Sequence, residues 1–274
     1  MSGGHDFPQL PVDAHVHFHR SGLVEPTLDA AAANFSRAAS GPRGFLGVLL
    51  LTEAAGERVF EELAVGATSR GQWRFERVPG EPQTMIARSG DRRIAVVCGR
   101  QIRCALGLGA VALGTTACYA DGDELEHTVD RIRADGALAV VPWGFGKWIG
   151  RAGEVVRTLF DTRPPDSLYA GDNGGRLQIL GTPKLLEAAA AAGFRVLPGT
   201  DPFPFGADHR RVGAFGFLWS AEPAPARPWS ALRAWLEETT DSPPPYGRAL
   251  GPLRFIFNQG WIQIRNRLRP GDAQ

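Results

Sequence analysis

Three of the chain's six histidines fall within five residues, at His15, His17 and His19, where the apolar run from Leu10 ends. Alternate side chains of an extended strand share a face. Asp13, His15, His17 and His19 are therefore expected on one side, with Val12, Ala14, Val16 and Phe18 on the other. Two neutral imidazoles one residue apart can grip a single zinc, iron or manganese ion. The plain alternative is a solvated His-rich strand tip.

Other polar residues stand where apolar runs stop: Glu53, Gln101, Lys147, Asp172, Asn173 and Asp201. His15, His17, Asp201 and Glu53 form the expected metal set, and Asp201 is also a candidate proton acceptor. Lys147 follows Trp143 in a Gly-rich loop and precedes Arg151, so these residues are expected to meet a substrate phosphate or carboxylate. A solvated loop lysine is the competing reading for Lys147. Asp172 and Asn173 lie in Gly171-Asp172-Asn173-Gly174-Gly175, either a turn that Asn-Gly favours or a substrate-contact loop. His209, beside Asp208, is either a substitute ligand or a surface histidine. Gly107-Leu108-Gly109 lacks the strand-turn-helix setting of a nucleotide fingerprint and is assigned no phosphate role.

The elements that must position these groups alternate in type. Helical spacing marks Pro26 to Ala39, Arg58 to Val65, Asp123 to Asp135, Arg151 to Phe160 and Lys184 to Ala192. Asp123 and Glu126 have the spacing of a capping box. Gly44 to Glu53 reads as a strand buried on both faces, Ala137 to Val141 and Ser167 to Ala170 as further strands, and Gln72 to Gly114 as antiparallel segments broken at Pro79-Gly80 and Ser89-Gly90-Asp91. Repeated strand, loop and helix units argue for a single α/β domain over 1–274. The expected form is a distorted (β/α) TIM-like barrel of about seven parallel strands, with a short antiparallel excursion and a C-terminal helix. That helix, 252–269, is amphipathic and basic. Its residues 253–268 could bind a membrane or a protein partner, but packing against the barrel is the favoured expectation.

Composition narrows the classes. The chain has 274 residues, 43% of them hydrophobic, and 30 basic residues balance 29 acidic ones, so nothing suggests electrostatic capture of nucleic acid. Cys98, Cys104 and Cys118 form no metal knuckle and are expected to be buried free thiols. A reducing, cytoplasmic setting fits them, and no signal peptide or membrane anchor is expected.

In their order, these motifs resemble the PHP (polymerase and histidinol phosphatase) family of amidohydrolase-like, metal-dependent hydrolases. Asp13-Ala14-His15-Val16-His17 resembles its Asp-x-His-x-His motif. Thr52-Glu53-Ala54 falls where the family has Thr-Asp-His, and Gly99-Arg100-Gln101-Ile102 resembles its Gly-x-Glu-Ile. Pro142-Trp143 takes the place of His-Pro, and Gly199-Thr200-Asp201-Pro202 that of Gly-Ser-Asp-Ala-His. The resemblance spans about residues 10 to 240. It implies a metal-dependent hydrolase of phosphoester, amide or ester bonds. Ala54, Gln101 and the replacements at Pro142-Trp143 and after Asp201 remove ligands, so a single ion at His15, His17 and Asp201 is the expected remainder.

Three readings follow. The first is a metal-dependent hydrolase of a small anionic substrate. The second is an inactive PHP-like barrel acting as a binding or scaffold module. The third is a metal-free carbohydrate-processing enzyme with Trp143, Trp148 and Trp219 as sugar platforms.

Overall fold

The computed structural model describes residues 8–38, 44–65, 69–176, 181–220 and 225–248. The chain begins with strand β1 (Gln9–Val16), helix α1 (Val24–Ala38) and strand β2 (Phe45–Leu51). All of β2 except Leu46 is buried, as its unbroken apolar sequence requires of a central strand covered on both faces. Helix α2 (Val59–Val65) precedes a run of strands: β3 (Ser69–Arg70), β4 (Trp73–Val78), β5 (Glu81–Ser89), β6 (Arg92–Val97), β7 (Gly99–Arg103) and β8 (Gly109–Leu113). Strand and helix then alternate through α3 (Leu125–Ala134), β9 (Leu138–Pro142), α4 (Gly150–Thr162), β10 (Tyr169–Asp172), α5 (Lys184–Ala191) and β11 (Val196–Pro198). Strand β12 (Phe215–Ser220), α6 (Pro228–Glu238) and β13 (Pro245–Gly247) follow.

These strands make two mixed sheets, one ordered β13-β12-β1-β2-β6-β5-β4-β3 and the other β11-β10-β9-β8-β7. The expected parallel TIM-like barrel is therefore incorrect: the fold is α/β, but no closed barrel forms among the described residues. Among the described strands, parallel ladders are confined to β1 with β2, β2 with β6, β9 with β10 and β10 with β11. The cause lies in the connections. Pro79-Gly80 and Gly90-Asp91 join β4 to β5 and β5 to β6 by turns far too short for a helical crossover, so those strands must return antiparallel. What reads as an excursion supplies the outer half of the first sheet and the edge of the second.

Three apolar layers hold the sheets. Phe18, Leu28, Phe35, Leu49, Phe60 and Trp73 pack α1 and α2 on the first sheet. Val12, Leu50, Val111, Val140, Phe217 and Trp229 fill the space between the sheets and α6. Ile132, Val141, Val156, Phe160, Leu186 and Phe194 seat α3, α4 and α5 on the second sheet. Burial of this kind contributes roughly 25 cal/mol for each Å² of apolar surface removed from water.

Several local expectations change. Helix α3 starts from Glu124 without a side-chain cap bond, so the Asp123–Glu126 capping box does not form. Cys98 and Cys104 are buried, but Cys118 is exposed because its segment follows β8 as an irregular surface stretch. Among the described residues no helix is long and apolar enough to cross a membrane. The expected helix at 252–269 lies outside the described residues.

The two sheets meet at the carboxyl ends of β1 and β2. Glu53, just past β2, bridges in parallel to Arg100 of β7, with Glu53 N–H donating to Gly99 O at 3.1 Å and Gln101 N–H to Glu53 O at 2.9 Å. The segment after β11 docks on β1 through Asp201 N–H, which donates to His15 O at 2.8 Å. Gly199 makes this approach possible, because a Cβ there would lie 2.3 Å from His15 N and 2.6 Å from His15 Cβ.

Candidate metal centre

His15 is near the end of β1 and His17 just beyond it, and a break in strand alternation aims both. Leu10, Val12 and Ala14 pack between the sheets, whereas Val16 and Phe18 pack toward α1, and the register with β2 shifts between Asp13 and Val16. Such a bulge re-aims side chains. Asp13 thus does not share the histidines' surroundings, contrary to the strict alternation. Its buried carboxylate accepts bonds from Thr200 Oγ1 at 2.7 Å, Gly213 N at 2.8 Å, Thr200 N at 2.9 Å and His15 N at 3.3 Å. Burial pushes Asp13 up to about 6 despite those donors.

Asp201 sits at φ 44, a left-handed backbone that is uncommon for a residue with a side chain. Three supports hold it there: its own N–H on His15 O, the Asp13 clamp on the preceding Thr200, and Asn173 Nδ2, which donates to Asp201 Oδ2 at 2.8 Å. The result is convergence. Asp201 Oδ1 lies 3.6 Å from His15 Nε2 and 3.6 Å from His17 Nε2, and Gln101 Oε1 lies 3.3 Å from His15 Nε2. Two imidazoles, one carboxylate and one amide oxygen suit a borderline divalent ion. A tetrahedral shell with Zn–N and Zn–O bonds near 2.0–2.2 Å has ligand-to-ligand edges of about 3.4 Å, so the donors present fit such an ion.

Electrostatics favour neutral, lone-pair-bearing rings at His15 and a partnered ring at His17. Burial lowers His15 to about 4 against the pull of Asp201. At His17 burial acts the same way but is outweighed by Glu57 and Asp201, which raise it. Glu57 accepts from His17 Nδ1 at 3.4 Å and from His19 Nδ1 at 3.0 Å. Burial pushes the Glu57 carboxyl upward, yet those two bonds hold it well below the usual carboxylate range.

The remaining expected residues divide. Glu53 is not in the convergence: it pairs with Arg100 at 2.6 Å and accepts the Phe60 N–H at 2.8 Å, and Arg100 also reaches Glu61. Burial pushes Glu53 up to about 7 against the Phe60 bond and the Arg100 charge. Asn173 serves Asp201, while Asp172, at the end of β10, pairs with Arg176 at 3.0 Å. Lys147 is exposed in the loop after β9, and its charge reaches His15. Trp143 and Trp148 line a groove of about 490 Å³ between that loop, α4 and α5, and Arg151 is exposed in the first turn of α4. Trp219 is only 2% exposed in the core, so it offers no sugar platform. The ligand atoms that converge among the described residues belong to His15, His17 and Asp201, and to His17, His19 and Glu57; His209 is in neither group. Glu57 escapes the sequence reading although it is an acidic residue in the loop directly after a buried strand's carboxyl end, which is the signal that could have found it.

No protein-family model matches the chain, and no curated protein matches it. Among solved structures it is similar to PsfC from Pseudomonas syringae PB-5123, at 15% identity and a TM-score of 0.55, over 94% of this chain and 98% of that one. A likeness at that identity extends to the fold and carries no chemistry with it.

Proposed function

We propose that His15, His17 and Asp201 hold one divalent ion of zinc, manganese or iron, with the Gln101 amide oxygen as a fourth donor, and that the protein is a metal-dependent hydrolase of a small anionic substrate. The observation that carries this reading is the approach of both Nε2 atoms to the same Asp201 oxygen at 3.6 Å. The ordered resemblance of the first strand and the Asp201 segment to PHP motifs supports the hydrolytic class. A bound ion supplies Lewis acidity and a water of lowered pKa.

The chain's own groups account for the rest. Neutral His15 presents a lone pair at Nε2, and Asn173 orients the Asp201 carboxylate so that Oδ1 faces the imidazoles. Asp201 Oδ2, which already accepts the Asn173 amide hydrogen, keeps a second lone pair able to accept a proton. Only one carboxylate enters the donor set, so a divalent ion and its direct ligands would carry a net positive charge, which the Glu57 carboxylate behind His17 offsets. Lys147, exposed in the loop after β9 and near enough for its charge to act on His15, is the cation we assign to a phosphate or carboxylate of the substrate.

Metal analysis of protein purified without chelator is the test. The wild type should carry about one equivalent, and His15→Ala, His17→Ala and Asp201→Ala should lose it. Hydrolysis of a panel of phosphomonoesters and carboxylate esters should disappear with chelator and return with metal. A folded, metal-free wild type would refute the proposal and favour the binding-module reading.

A further inference from the structure

Glu57 belongs to the turn after β2, where its own N–H donates to Ala54 O at 2.9 Å and its Oε2 accepts the Ala54 N–H at 3.0 Å. That closed turn fixes the carboxylate beneath two stacked imidazoles, since the rings of His17 and His19 lie 5.0 Å apart and within 8° of parallel. One oxygen faces Nδ1 of His17 and the other faces Nδ1 of His19. His19 then continues the chain of contacts, with its Nε2 lying 2.7 Å from Pro202 O, one residue past Asp201.

Resting on the reading of His17 as a ligand, we infer that Glu57 is the positioning residue of this centre and that His19 braces it against the Asp201 loop. A neutral imidazole carries one N–H. Glu57 keeps that hydrogen on Nδ1 of His17, which leaves the Nε2 lone pair directed at Asp201 and Gln101. In the metal-free ring that lone pair accepts from the hydroxyl of Thr52, 3.2 Å away, a bond that an ion would displace. Carboxylate behind histidine behind metal is the arrangement in which the outer partner fixes ring orientation and raises ligand basicity. His19 takes a backbone φ of 57, in the left-handed region that residues with side chains avoid, and its two ring contacts hold it there. The brace thus ties His17, through Glu57, to the loop that carries Asp201.

His17, His19 and Glu57 also converge closely enough to be a second ion's ligands. That role would require His17 to give both ring nitrogens to metal, whereas the positioning role uses one for the proton and one for the ion.

The experiment titrates metal-free full-length protein with zinc and records ring ¹⁵N shifts of the apo wild type in mildly alkaline buffer. The expected result is a His17 ring with hydrogen on Nδ1, one zinc per chain, a 10- to 100-fold weaker affinity in Glu57→Ala, and a smaller loss in Glu57→Gln, which keeps an acceptor oxygen. An Nε2–H tautomer for His17, a second zinc lost selectively in Glu57→Ala, or an unchanged affinity in that variant would each overturn it. The wild-type tautomer decides the matter even where Glu57→Ala fails to fold. Failure of the metal reading itself is distinct, since wild type would then bind no zinc at all.

Discussion

Replacing Gly199 by alanine tests whether the centre depends on the close approach of two backbones. The added Cβ would stand 2.3 Å from His15 N and 2.9 Å from Ala14 C, and neither can swing aside as a flexible side chain could. The backbone φ at Gly199 is not in the left-handed region, so space is the only objection to alanine. Restoring ordinary van der Waals contact requires the β11 end to retreat by about 1 Å. The Asp201 N–H to His15 O bond, 2.8 Å long, would then exceed hydrogen-bonding reach. Losing it costs about 1 kcal/mol, and overpacking adds about 1–3 kcal/mol, for a total of roughly 2–4 kcal/mol. The same retreat widens the 3.6 Å separations between Asp201 Oδ1 and the imidazoles well past a tetrahedral edge, and zinc affinity should fall at least tenfold, on the order of what a 1 Å misplacement does in other sites. Urea unfolding followed by tryptophan fluorescence and a zinc titration measure the two effects. Gly22→Ala is the control, because nothing lies within 4 Å of a Cβ there. If Gly199→Ala unfolds with Gly22→Ala and binds zinc within twofold of wild type, the close-approach reasoning is wrong.

Glu53→Ala should leave metal content unchanged while destabilising the fold by about 3 kcal/mol, since it leaves the buried Arg100 with Glu61 as its one remaining carboxylate partner among the described residues; loss of an equivalent of metal would instead make Glu53 a ligand. His15 has a folded pKa of about 4 against an ordinary 6.5, so the folded state binds fewer protons than the unfolded one between those values. Stability from this group is present above pH 6.5 and lost as pH falls toward 4, by up to ~3 kcal/mol. The unfolding gap between metal-free wild type and His15→Asn should therefore shift in favour of wild type as pH rises across that window, and a gap independent of pH would contradict the burial argument.

The residues that converge were legible because polar groups at the carboxyl end of a buried strand leave a local mark: an apolar run that stops on His15 and His17, and another that stops before Asp201. Glu53 carries the same mark and plays another part, because its partner Arg100 comes from a different sheet and nothing near Glu53 in the chain announces it. Antiparallel strands between Gln72 and Gly114 could be read from turn residues, but not that β6 would join β2 in parallel and make those strands the continuation of the first sheet. Strand order is a long-range property of packing, whereas turn chemistry is local. The bulge after Asp13 was equally hidden, since alternation of polar and apolar residues continues through it unbroken.

The hydrogen bond from Asp201 to His15 joins the first strand to a loop that follows the eleventh. During synthesis the histidines leave the ribosome long before their carboxylate, so a nascent chain holds at most an unfinished claw. Under the proposed reading, metal capture would be a late event that rewards completed folding, and a truncated or stalled product would be left without the ion.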